Sequence, residues 1–286
     1  IMMKKWPKGC YGLLPYAVIL TAMVIFLLVQ AAAPHKTEAA AATVPLPILM
    51  YHDIQKEPCP QDQYTITPQQ LEADLCALQA DGWQTVTLAQ IYDYVDQGCP
   101  LPEKPILLVF DDGYQSVLSE ALPLLKKYQA TAVVSVIGAR AQNAATNCAE
   151  DAQYLNWQEL QQVADSGLIE LQSHSANLHV YQERKGLAML PEESTEAYTQ
   201  VIMRDIQAMD QLTKTAQVQL FPAFAYPYGF VEPLADAILQ NNGYLMTMTS
   251  EETINALSQD PSCLYQMGRF HRSGQMSTAE VLNCLE

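Results

Sequence analysis

The chain has 286 residues, 49% of them hydrophobic, enough for one domain with a sizeable core. It sets 15 basic residues against 31 acidic ones, a net charge of −16, and the basic residues form no cluster in the body of the chain. That balance argues against nucleic acid and other polyanions as partners, since neutralising a phosphate backbone takes Lys and Arg, and favours a neutral or cationic substrate.

Residues 1–33 read as a signal peptide or a signal anchor. Lys4, Lys5 and Lys8 precede the uncharged run "YAVILTAMVIFLLV" (16–29), and Ala31 and Ala33 offer an A-x-A cleavage pattern followed at once by Pro34. Counted from Leu13, the run is nearly long enough to span a bilayer, so an uncleaved segment would tie the protein to a membrane. Positive charge on its N-terminal side places the body outside the cytoplasm in either case. Residues 34–44 form a linker, and 45–286 the folded body. Beyond Cys10, six cysteines remain (Cys59, Cys76, Cys99, Cys148, Cys263, Cys284). In an exported domain an even number predicts one to three disulfides, with Cys263–Cys284 a pairing that would tie down the C-terminus; no C-x-x-C metal spacing occurs.

From Val44 onward, short β-type runs alternate with helical patterns. "PILMY" (47–51) reads as a strand. "TPQQLEADLCALQADG" (67–82) reads as a helix with Thr67 as N-cap, Pro68 in the first turn and Gly82 as terminator. Strands are predicted at 84–88, 105–110, 130–137 and 168–174, and helices at 116–129 and 156–167. A helix around 197–213, a strand near 221–226, a helix at 231–242 and strands near 244–249 and 264–270 complete the pattern. Residues 180–196 have no period and read as a long loop. Apolar runs buried on both faces, alternating with helices, predict an α/β fold with a parallel sheet or barrel.

In such folds the chemistry sits at the C-terminal ends of the strands. Asp111 and Asp112 end the 105–110 run, His174 ends 168–174, His52 and Asp53 end "PILMY", and Tyr226-Pro227-Tyr228-Gly229 ends 221–226. Only five histidines exist, and His35 lies in the linker. A lone imidazole is more often a core or surface group than a ligand. His174 and His179 beside an acid pair are different: two imidazoles and one carboxylate suit Zn²⁺ or a similar divalent ion with open positions. Their separation by five places them on a turn.

"VFDDGYQS" (109–116) resembles the first motif of the polysaccharide deacetylase (NodB-homology) family, "SHSANLH" (173–179) its second and "FAYPYG" (224–229) its third, in the family's order across residues 45–250. "MYHDI" (50–54) further resembles the exported poly-N-acetylglucosamine deacetylase subgroup. The resemblance implies a distorted (β/α) barrel over 45–286 that hydrolyses acetyl groups from an N-acetylated polysaccharide, of the peptidoglycan or poly-N-acetylglucosamine type, outside the cytoplasm. By the same resemblance, Asp112, His174 and His179 hold a divalent metal, Zn²⁺ with Co²⁺, Ni²⁺ or Mn²⁺ as alternatives. Asp111 is the general base, His52 the general acid, and the Tyr228 backbone N–H, shaped by Pro227 and Gly229, stabilises the oxyanion. Ser175 braces its loop by hydrogen bonding or contacts acetate. The metal would neutralise one carboxylate of the adjacent pair, so that its neighbour stays ionised and basic.

The chain departs from the family pattern in two places. Many members carry an Arg shortly before the third motif to pair with the base, where this chain has Phe221-Pro222-Ala223-Phe224; Arg269 and Arg204 are the candidate substitutes. The late L-x-H motif, which supplies the catalytic acid in other members, is also missing; His271, the one late histidine, reads as a surface residue and is the weaker alternative to His52 as the acid. Trp83 and Trp157 read as core residues that could alternatively line a sugar site. A non-catalytic carbohydrate-binding protein on the same fold is the alternative function. A phosphohydrolase is disfavoured because Gly113 stands where a D-x-D pattern needs an acid, and no G-x-S-x-G or P-loop occurs.

Overall fold

A computed structural model of the chain describes residues 43–56, 62–146 and 148–285. The leader and Cys59 fall outside them. No helix among the described residues is long and apolar enough to cross a membrane.

The centre is a curled parallel sheet. Strands β2 (Ile48–Tyr51), β6 (Pro105–Phe110), β7 (Ala132–Val136), β8 (Ile169–Ser173), β9 (Ala223–Ala225), β10 (Met246–Met248) and β12 (Phe270–His271) run in the order β10-β9-β8-β7-β6-β2-β12, with β5 (Gln84–Thr85) beside β6. Every pairing in it is parallel. Residues leading into β12 also touch the opposite edge. Met267 bridges Met248, its carbonyl accepting from Thr249 N at 2.8 Å and its N–H donating to Thr247 O at 2.9 Å. The two edges of the sheet therefore meet through residues 267–271. Outside it, β1 (Val44–Leu46) pairs antiparallel with β11 (Asn255–Leu257), and β3 (Asp53–Ile54) pairs parallel with β4 (Thr65–Ile66).

Strand β6 shows why the sheet is buried on both sides. Ile106, Leu108 and Phe110 enter one apolar cluster, and Leu107 and Val109 enter another. A strand alternates its side chains, so an uninterrupted apolar run needs cover on both faces. The first cluster takes in helices α1 (Pro68–Ala80), α3 (Leu122–Tyr128) and α5 (Trp157–Ala164), and the second takes in α2 (Leu88–Gln97). Thr67 caps α1 as expected, its hydroxyl accepting from Gln70 N while Gln70 Oε1 accepts from Thr67 N.

Several boundaries differ from expectation. The strand expected at 84–88 stops at Thr85, because Thr87 instead forms the capping box of α2. The 116–129 helix opens with a π turn over Val117–Ala121 and becomes α-helical only at Leu122, which puts Pro123 in the first turn of α3, where its missing N–H costs least. The strand expected at 264–270 shrinks to β12, since Pro261–Leu264 is a 3₁₀ turn. Helices α4 (Gly138–Ala145) and α8 (Thr278–Asn283) carried no expectation, while α6 (Thr195–Ala216) and α7 (Pro233–Asn241) lie where helices were predicted. The described cysteines are free thiols. Cys263 and Cys284 do not pair: the Cys263 thiol donates to Ser258 O at 3.6 Å and that of Cys284 to Glu280 O at 3.3 Å.

Candidate active site

Because the strands are parallel, their C-terminal ends open on one side, and the chemistry-bearing residues collect there. Asp111 continues the β6 ladder, its N–H donating to Tyr51 O at 2.9 Å, and His174 continues β8 through Val136 O at 2.8 Å. The chain then turns sharply. Asp112, Ser175 and Tyr228 have left-handed backbones, with φ of 70°, 71° and 59°. Such conformations cost about 1–3 kcal/mol each in a non-glycine residue and gather at functional sites. The Tyr228 turn also depends on Gly229, where a Cβ would lie 1.8 Å from Ser250 Oγ.

These turns bring Asp112, His174 and His179 together, with one potential ligand atom from each lying within 4.8 Å of the others. His179 Nε2 is 3.2 Å and His174 Nε2 3.6 Å from Asp112 Oδ1. His174 Nδ1 sits 2.7 Å from the Ala225 carbonyl. A carbonyl only accepts, so Nδ1 carries the proton and Nε2 presents a lone pair. Burial pushes this imidazole down to about 4, the opposing pull of Asp111 notwithstanding, which keeps it a neutral donor at ordinary pH. Asp112 Oδ1 is buried with no hydrogen-bond partner. An orphaned carboxylate oxygen among converging nitrogen donors fits a divalent cation, as this donor set predicts.

Asp111 has a different partner. Arg269 Nη1 lies 2.8 Å from its Oδ1 and 2.9 Å from its Oδ2, and both side chains are buried. Burial alone would raise the Asp111 carboxyl, but Arg269, with His174 and His52, holds it far below the ordinary carboxylate range. The two adjacent acids are thus tolerated because each faces its own positive or ligand-binding environment. Arg269 also donates through Nε to Thr249 O at 2.7 Å, which fixes the guanidinium against Asp111. Arg204 is not involved; it is exposed on helix α6 and reaches Gln200 at 3.2 Å.

All of this lines a cleft of ≈ 730 Å³ that also contains His52, Tyr64, Tyr114, Tyr228, Glu252 and His271. The presence of His271 corrects the expectation of a surface residue: β12 carries it into the cleft, its ring 5.4 Å from that of His52. Burial and the neighbouring His52 push its imidazole down to about 4. His52 Nδ1 and His271 Nε2 are both buried and without partners.

The family model for polysaccharide deacetylases matches residues 99–247. The chain belongs to the polysaccharide deacetylase family. It is 30% identical over 253 residues to the poly-β-1,6-N-acetyl-D-glucosamine N-deacetylase of Escherichia coli (strain K12), a match covering 79% of this chain and 38% of that protein. The chain thus spans little more than a third of that relative's length. Among solved structures, IcaB from Ammonifex degensii is similar at 25% identity and a TM-score of 0.68, over 84% of this chain and 97% of that one. A de-N-acetylase from Aggregatibacter actinomycetemcomitans shares the fold at 22% identity and a TM-score of 0.72, over 84% and 100%.

In this family member the loop between the two histidines is held by a residue that sequence reasoning missed. Asp205, buried on α6, accepts from Ala176 N at 2.9 Å and Asn177 N at 2.7 Å. The Ser175 hydroxyl, expected to brace this loop, is buried without a partner, and the main-chain N–H of Ser175 lies 3.3 Å from Ser173 Oγ. A signal for Asp205 did exist: it falls among the buried residues of α6, with Tyr198, Ile202, Ile206 and Met209, and an acid on an apolar stripe asks for a partner. Trp157 is buried and Trp83 packs against the same core cluster, away from the cleft lining.

Proposed function

We propose that this chain removes acetyl groups from an N-acetylated polysaccharide outside the cytoplasm, of the poly-N-acetylglucosamine type, with peptidoglycan as the competing substrate. The observation that carries this reading is the convergence, in one cleft, of the Asp112–His174–His179 group with the Arg269-paired Asp111. The three ligands would hold a divalent ion, Zn²⁺ first and Co²⁺, Ni²⁺ or Mn²⁺ as alternatives. When bound, it supplies Lewis acidity to the amide carbonyl and lowers the pKa of the attacking water.

The remaining chemistry belongs to side chains and backbone. Asp111, kept ionised by Arg269, takes the proton from the attacking water. The Tyr228 N–H, aimed by the turn from Pro227 to Gly229, stabilises the developing oxyanion. His52 delivers a proton to the leaving sugar nitrogen, as the C–N bond breaks and acetate departs. Its neighbour His271, held neutral by burial, is less suited to that donation. Curling of the sheet, with its edges bridged at Met267, supports the distorted barrel expected of such an enzyme. The apolar run at 16–29 supports export, with or without a retained membrane anchor.

The test is acetate release from β-1,6-linked N-acetylglucosamine oligomers and from peptidoglycan, on chelated protein and after adding Zn²⁺ or Co²⁺. Metal-dependent acetate from the oligomers supports the reading. Metal binding without acetate from any glycan would favour the binding-protein alternative, and absence of metal binding would remove the site.

A further inference from the structure

Among the described residues, the large apolar side chains left exposed are Tyr64, Val180, Tyr181, Tyr228 and Phe230, the aromatic ones 50%, 56%, 39% and 38% accessible. None is remote from the cleft in the chain. Tyr64 and Tyr228 line it, Val180 and Tyr181 follow directly on His179, and Phe230 follows Gly229. Exposed aromatic surface gathered at one mouth marks a place where a ligand covers it.

Three of the rings are contiguous. Tyr228 stands 4.6 Å from the His179 ring, Tyr181 stands 5.0 Å from Tyr228, and Phe230 stands 6.3 Å from Tyr181. Lys185 Nζ lies over both outer rings, 5.0 Å from Tyr181 and 5.6 Å from Phe230. Their arrangement is built into the backbone. Tyr181 bridges Lys185 antiparallel, Gly186 N donates to Val180 O at 3.0 Å, and a Cβ on Gly186 (φ +56°) would lie 2.8 Å from the Pro227 carbonyl oxygen. The loop carrying Tyr181 is therefore seated on the turn that leads to Phe230.

We infer that Tyr181 and Phe230 form a subsite for the sugar next to the one being deacetylated, and that Lys185 makes it selective for a neighbour still bearing its acetyl group. It rests on the deacetylase reading above. A pyranose presents a face of C–H groups that packs on an aromatic ring, while its rim carries polar groups. Through Tyr228 the platform joins the ligand His179, so a sugar on it adjoins the reacting unit. The Lys185 ammonium can donate to an acetamido carbonyl, whereas it repels the ammonium of a deacetylated neighbour. Chain length and acetylation pattern, rather than the single sugar, then set the efficiency.

The experiment measures kcat and KM with Zn²⁺ present on β-1,6-linked N-acetylglucosamine of one to five units, for wild type and for Tyr181→Ala/Phe230→Ala. The expected result is a kcat/KM that rises with length in wild type and, in the double variant, falls about tenfold on the tetrasaccharide through KM. On the monosaccharide the loss should stay within about twofold, with bound zinc unchanged. Lys185→Glu should shrink the preference for a fully acetylated tetrasaccharide over one with a deacetylated unit beside the target. Equal losses at every length, or no loss, would overturn the subsite. If wild type releases no acetate from any length, the deacetylase reading falls, and the subsite is judged on tetrasaccharide binding to metal-free protein by NMR titration. Weaker binding in the double variant supports it, while equal binding, or none to either protein, overturns it.

Discussion

One wall of the cleft is made at two strand ends, Asp112 after β6 and His174 and His179 around the turn after β8, the group that could hold a metal. The facing wall is assembled from far apart: Arg269 reaches Asp111 across 158 residues, and His271 meets His52 where β12 lies alongside β2. The first wall gathers lone pairs, with Asp112 Oδ1 left unpartnered, and the second gathers a charge pair and imidazoles that can exchange protons. A division of labour follows. Damage to the first should cost the metal, and damage to the second should cost proton transfer while the metal stays.

The largest effect should come from the ligands. Asp112→Ala or His179→Ala is expected to lose stoichiometric zinc and more than about a thousandfold in turnover, read by metal analysis and acetate release. Retained zinc in either variant would blur the division. Asp111→Asn should keep its zinc and lose between about a hundredfold and ten-thousandfold in kcat, the range of a missing general base. Ordinary activity in that variant would show the base misassigned. Arg269→Ala leaves Asp111 buried and unpaired, so thermal or denaturant unfolding should show a loss of about 3–5 kcal/mol. A change below about 1 kcal/mol would mean that the pair is solvated and worth no more than a surface bridge. His52→Ala should slow turnover about a hundredfold, with metal content intact. Full activity there, together with a loss in His271→Ala, would move the acid role to His271.

The same contrast explains what the sequence discloses. Residues of the first wall, like Asp111 and Tyr228 beside them, sit within short motifs at the ends of apolar runs, where strand geometry and turn residues fix them locally, so their positions show in the sequence, while the roles of Asp111 and Tyr228 come through the family resemblance of those motifs. The placement of Arg269 cannot, because it depends on how residues 267–271 join the two edges of the sheet, a tertiary event with no local signature. His271 was misread for the same reason: β12 is two residues long, too short for any periodicity. The free thiols of Cys263 and Cys284 show a further limit. An even cysteine count is a statement about compartment, whereas pairing needs proximity that the two local hydrogen bonds at Ser258 and Glu280 do not provide.

Asp205 belongs to neither wall and sharpens the comparison most finely. Its carboxylate takes the backbone N–H groups of Ala176 and Asn177, so it would act on a bound metal only by setting where the turn delivers His179. Burial raises its carboxyl above the ordinary range while the loop N–H groups oppose that shift, so the ionised form is the one the loop stabilises. Asp205→Asn preserves shape but exchanges one acceptor oxygen for an NH₂ group that must face a backbone donor. The expected result is zinc affinity weakened by about tenfold to a hundredfold, a changed visible spectrum of the Co²⁺-loaded protein, and kcat largely recovered at saturating metal. A merely structural role would lower the melting temperature and leave affinity and spectrum alone. In that case the spacing of His174 and His179 would be set by the strand end itself, and the first wall would owe nothing to the helix behind it.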